Sequence, residues 1–179
     1  IRSALDQSFP PNEIFVIDDG SRNEILRSLE DSIMELRDPR VTLIKSVAKR
    51  HPGVIRNIGI EVANSNWIAF LDSDDVWSLN KLEIQLSEMK AAKSLASCTL
   101  SIQEGGSLGG PKTNVNSVLK TKHLLKMNQI INSSVLISSG LLRSVGGVVT
   151  DFSVRGVEDY ATWLRVSVKS EWLLINKPL

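Results

Sequence analysis

Twice in this chain an apolar, β-branched run stops on aspartates: "IFVIDD" at 14–19 and "IAFLDSDD" at 68–75. No other feature constrains the fold as much. Short runs rich in Val, Ile and Phe read as buried strands. Carboxylates crowded at a strand end repel one another and resist leaving water, so each end must face solvent or a cation. After the first run the period turns helical. Ser21 followed by Glu24 has the form of a capping box, and Ile25, Leu26, Leu29 and Ile33 continue at helical spacing. "VTLIKS" (41–46) reads as a second strand, and Ile55, Ile58 and Val62 then mark a helical face. "WIAFL" (67–71) reads as a third strand, and 78–93 as a helix with Leu79, Leu82, Leu86 and Met89 as its stripe. Strand and helix in alternation predict an α/β fold with a mostly parallel, Rossmann-like sheet flanked by helices.

At the start, Ile1, Ala4 and Leu5 share a helical face that Pro10-Pro11 ends. "IRSALDQSF" has the look of a helix cut open, so an N-terminal strand and turn are expected before Ile1, and Leu179 is expected to be a cut end too. Later segments predict a strand at 96–102, a Gly/Asn-rich loop at 103–116 and a helix at 117–128. A strand at 133–138, a short helix closed by Gly146-Gly147, a helix at 157–170 and a strand at 171–175 complete the chain. No repeat or linker divides it, which predicts one domain over 1–179.

Composition narrows the function classes. Of 179 residues 42% are hydrophobic and 23% charged, with a net charge of +1, so no basic field points to nucleic acid. The single Cys98 excludes an internal disulfide and an all-cysteine zinc site; it is expected to be a small core residue in a reducing compartment. No apolar run approaches the ~20 residues that span a bilayer.

Ligands of open parallel sheets bind at the carboxyl ends of strands. Asp18 and Asp19 close one strand and Asp72, Asp74 and Asp75 another, so two acid clusters are expected to face one crevice. Alternate residues of an extended segment point the same way, which lets Asp72 and Asp74 face one ligand. Mn²⁺ or Mg²⁺ suits such oxygens and keeps positions open for phosphate. One aspartate would hold the metal and the other would accept from a ribose or a coordinated water. The plainer account is that aspartates collect in turns. Glu158 and Asp159, at the start of a helix, either complement its dipole or supply a general base.

The remaining candidates read as bland. His51 is expected to be a solvated loop residue and His123 an exposed one. Lys112, Lys120, Lys122 and Lys126 read as a solvated face, with a weak attraction to anionic lipid or to a polyanionic product as the alternatives. "NSS" (132–134) has the form of a glycosylation acceptor but precedes a strand expected to be buried. Trp77 is expected to cover the acid cluster from its apolar side. Tyr160 and Trp163 either line a pocket or, for Trp163, fill the core.

In order, "SALDQSFPPNEIFVIDDGS", "RNIGI", "WIAFLDSDDVW" and "VEDYATWLR" resemble the motifs of the family-two glycosyltransferases with the GT-A fold, over nearly the whole chain. That family's extra first strand and polar turn, which touch the nucleotide base, have no match here. The resemblance implies an inverting, metal-assisted transfer of a sugar from a nucleoside diphosphate, UDP above all, to a hydroxyl of a glycan or lipid-linked acceptor. It implies that Asp19, with Asp18, bonds the base and that Arg56 lies near the nucleotide. It further implies that Asp72 contacts the ribose, that Asp74 coordinates Mn²⁺ or Mg²⁺, and that Asp75 stands behind them. Asp159 would be the base, with Glu158 as the second choice. Residues 1–95 would form the nucleotide-sugar half and 96–179 the acceptor half. The expected setting is cell-surface polysaccharide synthesis, in the cytoplasm or peripherally at the inner face of the membrane. Two alternatives stay open. "DSDDV" also fits the haloacid dehalogenase phosphatases, with Asp72 as nucleophile, although "IDDGS" is then unexplained. A non-catalytic sugar-nucleotide-binding module is the other.

Overall fold

The computed structural model describes residues 1–47, 51–111 and 113–179; Lys112, read above as part of a solvated face, lies outside the described residues. The chain runs α1 (Arg2–Leu5), β1 (Ile14–Asp18), α2 (Asn23–Leu36), β2 (Val41–Lys45), α3 (Pro52–Val62), β3 (Trp67–Ala69) and α4 (Lys81–Ala92). Then come β4 (Ala96–Ile102), β5 (Leu108–Gly109), β6 (Ser117–Leu119), α5 (Thr121–Leu124), β7 (Leu136–Ser138), α6 (Ser139–Ser144), α7 (Glu158–Lys169) and β8 (Trp172–Pro178).

β1 and β2 pair in parallel, Asp18 opposite Lys45. The other strands form a six-stranded sheet in the order β3-β7-β4-β8-β6, with β5 on β4. The α/β architecture with helices against a central sheet is the one expected, but the strand directions are mixed rather than mostly parallel. β4 and β8 run parallel, whereas β3–β7, β4–β7, β4–β5 and β6–β8 are antiparallel. A parallel neighbour needs a long crossover, and β4 instead turns straight back into β5 through Gly105 and Gly106, both at positive φ.

Three local expectations are corrected. Residues 117–119 are a strand, because Val118 and Leu119 pair with Leu173 and Trp172 of β8; only the short α5 follows. The Ser21–Glu24 capping box does not form: α2 starts at Asn23 with no side-chain cap, and the Ser21 N–H goes to Asp18 instead. Leu79 lies outside α4 and is exposed; the buried face of that helix is Lys81, Leu82, Gln85 and Met89.

The main core gathers around α7 and the six-stranded sheet. Trp163 packs edge-on to Trp172 with ring centroids 5.2 Å apart and tilts against Phe70 at 5.8 Å. Trp163 is therefore a core residue that fastens α7 to the sheet. Cys98 lies in the same core, where burial pushes its thiol up to about 12. Among the described residues no helix is long and apolar enough to cross a membrane.

Candidate active site

The loop after β3 is built from below. Phe70 drops into the core, and Asp72 then turns to the rim. The Asp72 N–H donates to Ser133 Oγ (2.9 Å), and its Oδ1 accepts from Asn132 Nδ2 (2.9 Å) and Arg56 Nη2 (3.0 Å). The Asp75 N–H donates to the Asp72 carbonyl (3.1 Å), closing a turn that leaves Ser73, Asp74 and Asp75 exposed. Trp77 lies buried beneath, its indole N–H donating to the Ser133 carbonyl (2.8 Å) and its ring 4.5 Å from the Lys81 ammonium.

Arg56 reaches the rim because α3 is held at its start. His51 is fully buried, not solvated as expected: Nδ1 accepts from the Gly53 N–H (3.1 Å) and caps α3, and Nε2 faces the Asp151 carbonyl (3.2 Å). That pair of bonds requires the Nε2–H tautomer. A Cβ on Gly53 would stand 2.1 Å from the Val149 carbonyl oxygen, so only glycine permits this approach. One turn on, Asn57 exchanges two 2.8 Å bonds with the Val148 backbone.

Arg56 also donates through Nη1 to Glu158 Oε1 (2.7 Å). Glu158 is buried; burial pushes its carboxyl up, but its own N–H, the Gly156 N–H and Arg56 outweigh that and hold it below its usual value. Its neighbour behaves oppositely. Burial raises the Asp159 carboxyl, the negative charges of Glu158 and Asp72 add to this, and the Tyr160 N–H and Arg56 only partly offset it. Two adjacent carboxylates are thus driven apart.

The structure brings Arg56, Asp72, Glu158 and Asp159 together and sets Asp74 on the exposed turn beside them. Asp18 is buried and committed elsewhere, accepting from the Gly20 and Ser21 N–H groups at 3.0 and 3.1 Å. Asp19 follows at the end of β1, half-buried. Sequence reasoning missed Asn132 and Ser133 as supports of Asp72; a polar pair ahead of a strand carries no signal for that role. Asn132 Oδ1 is buried without a partner among the described residues, and the negative Asp72 oxygen fixes which way the amide points.

Among the described residues no three His, Cys, Asp or Glu side chains gather to chelate a metal. What the rim offers a cation is oxygen-only and shallow, the exposed Asp74 with the half-buried Asp72 behind it. This fits a hard cation that takes one or two carboxylates and fills its other positions with phosphate and water. It does not fit a closed zinc site.

The profile of the family described as glycosyl transferase family 2 matches residues 1–144. An uncharacterized glycosyltransferase of Haemophilus influenzae is 40% identical over 89 residues, covering 50% of this chain and 35% of its own. The Escherichia coli protein named UDP-Glc:alpha-D-GlcNAc-diphosphoundecaprenol beta-1,3-glucosyltransferase WfaP is 28% identical over 175 residues, 94% of this chain and 64% of its own. The chain therefore spans 35% to 64% of the length of these relatives. The structure of S. aureus TarS 1-349 with UDP aligns at TM-score 0.77 and 18% identity, over 99% of this chain and 53% of that one. The mannosyltransferase PcManGT from Pyrobaculum calidifontis, in complex with GDP-Man and Mn²⁺, aligns at 0.71 and 16%, over 99% and 49%. At these identities the likeness is one of fold, the GT-A type.

Proposed function

We infer, from the premise that this chain belongs to glycosyl transferase family 2, that it moves a sugar from a nucleoside-diphosphate sugar to a hydroxyl of a glycan or lipid-linked acceptor, with inversion. The observation that carries this is the Arg56 bridge. One guanidinium joins the acid after β3 to the acid that opens α7, at 3.0 and 2.7 Å. A donor lying against Asp72 and Asp74 then has the α7 carboxylates within reach. Family membership also sets aside the phosphatase reading of "DSDDV".

Direct displacement needs a base for the acceptor proton and positive charge near the departing diphosphate. Asp159 is the better base, because Glu158 is bound to Arg56 and to the Gly156 N–H, while the raised Asp159 has no cation bonded to it among the described residues and accepts from the Tyr160 N–H (2.6 Å). Glu158 and Arg56 act as positioning residues. Asp72 takes the ribose and Asp19 the base, with Asp18 shaping the turn beneath it. Asp74 would hold Mn²⁺ or Mg²⁺, which supplies Lewis acidity toward the diphosphate. Residues up to about 95 serve the donor and the remainder the acceptor. The UDP complex of TarS supports a UDP-sugar donor, the GDP-Man and Mn²⁺ complex supports the metal, and the name of WfaP supports a lipid-diphosphate acceptor; the setting we propose is cell-surface polysaccharide synthesis.

The test is transfer from UDP-glucose, UDP-GlcNAc and GDP-mannose to a short-chain lipid-diphosphate sugar with Mn²⁺, the product anomer being read by NMR. Asp159→Asn is expected to lower kcat about 10²–10⁴-fold with an unchanged melting temperature. Full transfer by Asp159→Asn would refute the base assignment. Nucleotide binding without turnover of any donor would instead identify a non-catalytic module.

A further inference from the structure

We propose that the exposed face beside the start of α7 docks on an anionic lipid bilayer. This deepens the transfer reading, on which its purpose rests, by specifying how a lipid-linked acceptor is met. α5 lies along α7 in the opposite sense. Thr121 Oγ1 donates to the Ser167 carbonyl (2.9 Å) near the end of α7, and the Tyr160 hydroxyl donates to the Leu124 carbonyl near its start. The segment leaving α5 therefore emerges beside Tyr160, next to the candidate base Asp159.

That segment carries Leu125 and Met127 at 67% and 61% exposure, with exposed Lys126 between them and exposed Lys122 on α5. Val157, one helical turn before Tyr160, is 51% exposed, and exposed Arg155 precedes it. Large apolar side chains this open to water, set among cations, are the composition of a membrane-surface contact. Lys and Arg stems can lie along the headgroups while the apolar tips enter below them. Lys122, Lys126 and Arg155 form no ion pair among the described residues, whereas Lys120 is neutralised by Glu171 at 2.9 Å. Of the nearby acids Glu158 is buried and paired with Arg56, while Asp151 is exposed and accepts from the Ser153 N–H; Lys122, Lys126 and Arg155 outnumber Asp151 and Asp159, the acids there without an ion pair among the described residues. On a chain of net charge +1 this is a local positive surplus. It complements an anionic bilayer, which takes up both the cations and the apolar tips.

Vesicle flotation of the full chain tests this, comparing phosphatidylcholine alone with phosphatidylcholine carrying about 30% phosphatidylglycerol. Binding to the anionic vesicles is expected, weakening as salt rises. The pair Leu125→Ser/Met127→Ser and the pair Lys122→Glu/Lys126→Glu are each expected to weaken it at least about tenfold. Arg22→Glu/Arg27→Glu, on the exposed surface before and along α2, is expected to leave it unchanged. No binding, equal binding to both vesicles, or equal loss in the α2 pair overturns the proposal. So does patch-dependent self-association without vesicle binding, which would assign the face to a second copy. Transfer to a water-soluble acceptor is expected to survive both patch pairs; its loss would place these residues in the active site and overturn the proposal. If no form turns over any donor, the transfer reading fails while the flotation result still decides the surface.

Discussion

Arg56 sits between two acids of unequal exposure, and its worth differs at its two ends. The Glu158 side chain is 5% exposed and that of Asp72 40% exposed. Solvent screens the second pair, so the stability lies with the first. Arg56→Ala leaves a buried carboxylate without its cation and is expected to cost about 3 kcal/mol in urea unfolding. Arg56→Lys is expected to recover only part of that, because an ammonium cannot fork between both acids. Glu158 has a lowered carboxyl, so its contribution is complete above its ordinary 4.5 and disappears as pH falls through the lower folded value. Asp159 titrates the other way. A base works deprotonated, and its carboxyl is raised from 3.8, so the acid limb of kcat/KM is expected above the usual aspartate range. Arg56→Ala removes a charge that lowers Asp159, and should move that limb further up; an unmoved limb in this variant would show that Asp159 is not the titrating base.

At the scale of elements, α3 and α7 aim the charged groups, and each rests on one tight packing choice. Gly53→Ala pushes a methyl into the Val149 carbonyl and is expected to cost about 1–3 kcal/mol while lowering transfer, because Arg56 rides on the displaced helix. Trp163 anchors α7, yet its indole N–H is buried without a partner among the described residues. Trp163→Ala is expected to cost about 3–5 kcal/mol. Trp163→Phe should cost far less, since it removes a desolvated donor that bonds nothing. A melting curve of each variant separates the two. What the sequence made legible follows the same division. The strand ending in Asp18, the strand that leads into the Asp72 loop, and the helix opening with Glu158 and Asp159 were readable because period and charge are local. β6 was misread because its state is decided by pairing with Trp172, far along the chain. His51 looked solvated because its partner Asp151 is equally remote. The antiparallel turns of the second half were hidden likewise, and Asn132 and Ser133 gain meaning only once folding sets them under Asp72.

Across the whole molecule, stability should carry a mark of the lysine beneath the aspartate loop. Lys81 is fully buried, and burial pushes it down from 10.5 to about 7. The unfolded chain then binds more protons than the folded one between those values, so stability rises with pH there. The buried Cys98 thiol acts in the opposite direction, but only above its ordinary 9.0. Urea midpoints are therefore expected to rise from pH 7 to 9, and Lys81→Met to remove the rise; a slope that persists in the variant would rule Lys81 out as its source.

Donor binding depends on the acid rim taking a diphosphate through a divalent ion. Calorimetric titration of UDP into the chain tests this directly, with Mn²⁺, with EDTA, and with Asp74→Asn. Binding is expected only with Mn²⁺, and at least about tenfold weaker in Asp74→Asn. Equal affinity in EDTA, or an unchanged affinity in the variant, would contradict it.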